Sequence, residues 1–141
     1  MFRIKKEQMD HFAANTRRRF EDKTAAYLRA EHGQRVAHLK GDALAEWVHA
    51  AVDKASRFGV GTEPEATQLL LLLLLLGLDA DERLPWAREV LTNRDLVALG
   101  KVRRLVRRAR QHDVAGLDDV LVYEEMSDRR LSPAPVQQEE A

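Results

Sequence analysis

The side chains best able to do chemistry in this 141-residue chain are gathered by charge rather than by catalytic type. Lys101-Val102-Arg103-Arg104-Leu105-Val106-Arg107-Arg108-Ala109-Arg110 holds six cations and no acid. On a helix, Lys101, Arg103, Arg104, Arg107 and Arg108 would offer a row of cations to phosphate backbones, the signature of a nucleic-acid-binding module. The competing reading is the solvated side of an amphipathic helix, whose last-turn cations complement the negative end of the helix dipole. Asp118, Asp119, Glu124 and Glu125 follow soon after and have the charge to fold back on the basic stretch. The chain as a whole carries 23 basic and 23 acidic residues, for a formal net charge of zero. That balance argues against a general grip on nucleic acid or an anionic membrane. No aromatic ring interleaves the arginines to stack on bases. The structural reading of the basic stretch is therefore preferred.

Catalytic and metal-binding patterns are weaker still. Glu21 and Asp22 adjoin on a helix, so they point about 100° apart and cannot serve one substrate atom as an acid–base pair. The five histidines, His11, His32, His38, His49 and His112, show no metal-ligand spacing. Asp79, Asp81 and Glu82 lack the alternating ligands and glycine of a calcium loop. The absence of cysteine excludes disulfides, a thiol nucleophile and thiolate-bound metal. No nucleophile elbow, phosphate loop or dinucleotide fingerprint is present. Neither an enzyme, nor a cofactor, nor a metal site is expected.

The elements that must position these groups read as helices. Leu69 to Leu76 is an unbroken run of eight leucines. Leucine is a strong helix former without β-branching, and a helix that is apolar on every face must be surrounded by neighbours. Thr62 with Glu65 has the spacing of a reciprocal capping box, Pro64 suits the first turn, and Gly77 closes the run. A membrane span needs about 20 apolar residues, and this run is too short.

Before the leucine run, Met9, Phe12, Thr16, Phe20, Thr24, Tyr27 and Leu28 mark one face of a long helix from about Arg3 to Glu31. Gln34 to Lys40 reads as a short helical turn. Asp42 is the expected N-cap of a helix with the stripe Leu44, Trp47, Val48, Ala51, Val52 and Ala55, which places Trp47 in the core. Phe58-Gly59-Val60 reads as a left-handed stop with Val60 folding back. After the leucine run, Pro85 starts a short helix through about Leu91. Thr92-Asn93-Arg94-Asp95 opens a last helix to about His112, with Leu96, Leu99, Val102, Leu105, Val106 and Ala109 inward. Gly100 inside it suggests a close helix contact there. Leu117 to Met126 is acidic with an apolar centre, a short helix or an edge strand, and Ser132 to Ala141 reads as a disordered tail.

The expected architecture is all-α. It is a compact helical bundle around a central poly-leucine helix, with residues 1–113 as the helical domain and 114–141 as an acidic extension and flexible tail. The first helix, the Trp47 helix and the Leu96–Ala109 helix are expected to pack the leucine helix. The N-terminus turns polar too soon for a signal peptide, so a cytoplasmic protein without a transmembrane segment is expected.

Several segments in order carry a family resemblance: Glu7-Gln8-Met9, Arg19-Phe20-Glu21-Asp22, Tyr27-Leu28-Arg29, Arg57-Phe58-Gly59-Val60 with Glu63, and Leu76-Gly77 through Leu84-Pro85-Trp86-Ala87. Over residues 4–95 the chain resembles a family of small helical proteins encoded beside toxin-delivery genes of the bacterial type VI secretion system. It departs from that pattern in its almost pure leucine central helix and in the acidic tail after Val114. The resemblance implies a non-enzymatic accessory factor, acting on a secretion spike or effector as chaperone-adaptor or immunity-type protein. No established site residues carry over. The charge density of the first helix, with the motif match, points to Arg18, Glu21, Asp22 and the Trp86 corner as the protein-partner surface. The alternatives are the nucleic-acid module on the basic helix, a membrane-associated protein exposing its leucines, and a homo-oligomer sharing the leucine helix.

Overall fold

The computed structural model describes residues 6–122, with side chains from residue 15 onward. The described residues form six α-helices and a closing 3-10 turn, with no strand. The helices are α1 (Lys6–Glu31), α2 (Asp42–Arg57), α3 (Glu63–Leu76), α4 (Ala80–Arg83), α5 (Pro85–Leu91) and α6 (Ala98–Gln111), and the turn is Leu117–Val120. No described helix is long and apolar enough to cross a membrane. The short helix or edge strand expected over Leu117–Met126 is a 3-10 turn as far as Val120, while its part beyond Val122, the inward roles expected of Met9 and Phe12, and the expected disordered tail lie outside the residues so described.

The chain divides into two compact units, Met1–Ala50 and Ala51–Ala141, with the boundary inside α2. In the first unit, α1 buries Phe20, Thr24, Ala25 and Leu28, spaced four, one and three residues apart on one side of the helix. The stripe is narrower than the sequence predicts. Thr16 is exposed, and Tyr27 is 40% exposed with its ring edge-on to His32 at 5.7 Å. A series of turns follows α1. In it His32 N–H donates to Leu28 O, Val36 N–H to His32 O and Leu39 N–H to Val36 O. The expected short helical turn is there, with Val36 buried. Asp42 falls inside the first turn of α2, where its charge still favours the positive end of the helix dipole. Leu44 and Val48 are buried, but Trp47 is only half-buried. The stripe that placed Trp47 in the core gives its direction from the helix and not the reach of its neighbours.

In the second unit, Ala51, Val52 and Ala55 continue the buried side of α2. The helix ends as predicted. Gly59 has φ +78°, its N–H donates to Ser56 O, and Val60 N–H returns to Ala55 O at 2.8 Å, with the Val60 side chain buried. In α3, Leu69 to Leu73 are buried, and Leu74 to Leu76 are half-buried. The expected capping box at its start is altered. Thr62 is the N-cap in extended backbone, but its hydroxyl donates to the Glu65 carboxylate instead of bonding an amide. At the other end Gly77 has φ +108°, and a Cβ there would collide with the Arg83 guanidinium that hydrogen-bonds Leu76 O.

Helix α5 buries Ala87, Val90 and Leu91, and packs on α6, which buries Val102, Leu105, Val106 and Ala109. α3 packs on α6 and on the 3-10 turn. Two expectations for α6 fail. It starts at Ala98 rather than at Thr92, because the Asn93 side chain accepts the Asp95 N–H and turns the chain before a helix can begin. Gly100 makes no close helix contact: a Cβ would meet only the Leu96 and Val97 side chains, at ordinary distances of 3.7–3.9 Å.

Candidate functional site

Three groups of polar side chains stand out. The first is on α1. Arg17 Nε donates to Glu21 Oε2 at 2.7 Å, one helical turn away, and Glu21 Oε1 lies 3.0 Å from His49 Nδ1 on α2. A second Arg17 nitrogen reaches the His49 carbonyl at 3.3 Å. Of the residues singled out on this helix, Glu21 is therefore committed inward, with its side chain only 16% exposed. Arg18 and Asp22, on the neighbouring side of α1, are exposed. The sequence marks Glu21 but misses Arg17 and His49. The four-residue spacing of Arg17 and Glu21 is a local signal for the first, whereas nothing local announces the second.

Trp86 belongs to the other unit. It is half-buried, and its indole stacks on the His112 ring at 4.9 Å and 12°. The pair joins the start of α5 to the end of α6, and Arg108, one turn before His112, reaches Glu89 at 3.4 Å. Trp86 is thus an α5–α6 link with an open side.

The second group is the basic stretch of α6, which the structure separates. Val102, Leu105, Val106 and Ala109 face inward. Arg103 is exposed, and Arg104, Arg107 and Arg108 are half-buried on the outer side. Lys101 is buried at 8% exposure. Its ammonium donates to Phe58 O at 2.6 Å and to Leu91 O at 2.8 Å. Those carbonyls close the C-terminal ends of α2 and α5, so one cation answers the negative ends of two helix dipoles. Burial lowers the Lys101 pKa from its ordinary value. A side chain engaged in this way is not presented to a phosphate backbone, so Lys101 leaves the predicted cationic row. Arg110 pairs with Asp118 at 2.9 Å, the fold-back of acidic segment onto basic helix that the sequence suggests.

The third group follows from a residue the sequence reading passed over. Gln68, at the mouth of the leucine run, is fully buried. Its Nε2 donates to Val120 O at 3.0 Å, and its Oε1 accepts the Val122 N–H at 2.6 Å. Leu117 and Val120 of the 3-10 turn are buried. The turn that the acidic extension forms is thus fastened to α3 through both ends of one amide. A lone glutamine beside eight leucines is the only local hint of it.

Elsewhere, Lys54 Nζ donates to Leu78 O at 2.7 Å and pairs with Asp81 at 2.5 Å. Arg83 pairs with Asp79 at 2.8 Å, and this hydrogen bond holds the Asp79 carboxyl below its usual pKa. The acidic cluster at Asp79 and Asp81 is therefore occupied by cations of the chain itself. Among the described residues, no group of three or more histidines and carboxylates is placed to hold a metal ion. Comparison with protein-family models, curated proteins and solved structures finds no match for the chain.

Proposed function

We propose that this protein is a non-enzymatic, protein-binding accessory factor of a bacterial type VI secretion toxin cluster, serving a spike or effector as chaperone-adaptor or immunity-type protein. The family resemblance over residues 4–95 supplies the setting. The observation that carries the binding surface is the α1 charge pattern. Arg18 and Asp22 are exposed beside a fixed Arg17–Glu21–His49 network that holds the underlying helix surface in place. Exposed charges favour orientation and rate of association more than raw affinity. The test is charge reversal of Arg18→Glu with Asp22→Lys, leaving Glu21 intact because it pairs within the unit. Purification of the tagged chain from its host should bring down a spike or effector protein, and the double variant should bring down at least ten-fold less with unchanged circular dichroism. Undiminished capture removes this surface.

The nucleic-acid reading retains one favourable observation, the outer row of Arg103, Arg104, Arg107 and Arg108 on α6. Four phosphate contacts would give a log–log salt slope of about −3.6. A mobility shift with no complex at low salt eliminates it.

A further inference from the structure

Gln68 recognises a main chain rather than a side chain. It donates to the carbonyl of Val120 and accepts from the amide of Val122, two residues on. Main-chain bonds of this kind give grip without regard to sequence, and selectivity falls to the side chains beside them. Here the selective contacts are the buried Leu117 and Val120, with Arg110 on the Asp118 carboxylate.

We infer that residues 117–122 are an internal ligand, and that the α3–α6 surface beneath them is a binding site for a hydrophobic–acidic peptide of another protein. The chemistry it selects is that of Leu117-Asp118-Asp119-Val120: an apolar residue, two acids, a second apolar residue, then extended backbone. Two further observations make the segment separable from the helix before it. α6 is already capped without it, since Asp113 N–H donates to Arg110 O and Val114 N–H to Ala109 O. The connection is also sharply bent, with Asp113 at φ +52° and Gly116 at φ +81°. A ligand on so short a tether competes at high effective concentration, so the intact chain hides its own site. This inference is independent of the α1 surface, and either can fail alone.

The test keeps the full chain and weakens only the internal ligand, by Leu117→Ser with Val120→Ser. The probe is a fluorescein-labelled synthetic peptide with the sequence of residues 115–122, followed by anisotropy. It should bind the double variant at least ten-fold more tightly than the wild type, and adding Gln68→Leu should abolish that binding. Equal affinity for both chains, or indifference to Gln68→Leu, overturns the assignment. If the double variant loses its helical dichroism, hydrogen exchange on the wild type decides. A Val122 amide protected at least 100-fold less than that of Val106 supports a segment that opens alone, and equal protection overturns it. A wild-type dimer in light scattering that disappears on Gln68→Leu would give the site to a second copy of this chain and overturn the foreign-peptide assignment.

Discussion

Leu69–Leu76 and Lys101–Arg110 are the two most monotonous stretches of the chain, and the fold divides each of them. The first five leucines are buried and the last three only half-buried. The first cation of the basic run is buried at 8% exposure, while Arg103, two residues on, is exposed. In the leucine run the division follows the neighbours. α6 and the 3-10 turn pack on α3, the turn is anchored at Gln68, and at the far end the Gly77 N–H closes on Leu73 O and Arg83 on the Leu76 carbonyl. In the basic run it follows helix geometry. Lys101 borders the inward side of Val102 and Leu105, and its flexible stem can carry the ammonium to two helix ends. Residue type sets what a side chain prefers, and the packing partners decide whether the preference is met.

The largest test of this contrast lies in the leucines. Leu72→Ala should cost about 2–5 kcal/mol, as buried leucine truncations do. Leu75→Ala should cost less than half of that, since part of its surface already meets water. Urea unfolding of the two variants measures both, and equal losses would erase the distinction between the two ends of α3.

A smaller effect is expected at Lys101. Replacement by Met keeps the stem and leaves Phe58 O and Leu91 O without the ammonium, at about 1–3 kcal/mol. The pH dependence has a definite sign. The folded-state pKa of Lys101 lies below the ordinary value of 10.5, so between the two values the unfolded chain holds more protons. Stability conferred by the lysine therefore rises with pH across that window, and the deficit of Lys101→Met should widen as alkaline pH approaches 10.5. Paired melts across the alkaline range would show it, and a narrowing deficit would contradict the burial of the charged amine. The smallest effect belongs to the outer arginines. Arg103→Ala should stay within about 0.5 kcal/mol of the wild type by the same measurement, as exposed substitutions do.

Much of the helical framework was legible from local chemistry. The α3 bounds follow from Thr62, Pro64 and Gly77, the α2 stop from Gly59, and the α5 start from Pro85, because each acts on the backbone within one or two residues of itself. Local reading erred where two local signals competed. Thr92-Asn93-Arg94-Asp95 has the composition of a helix cap, and the Asn93 side chain used it to make a turn. At α6 the left-handed residue is Asp113 rather than a glycine, so the sequence did not mark that stop as clearly as it marked Gly59.

The sequence by itself determined the helical class, the approximate helix order and the impossibility of cysteine chemistry, since propensity, capping and composition are local properties. Only the tertiary structure decided that Trp47 is half-buried, that Lys101 joins two helix ends, and that Gln68 fastens a segment more than fifty residues away. The physical reason is separation along the chain. A hydrogen bond across 43, 52 or 54 residues leaves no periodicity in either partner, and it exists only once the helices between them have packed.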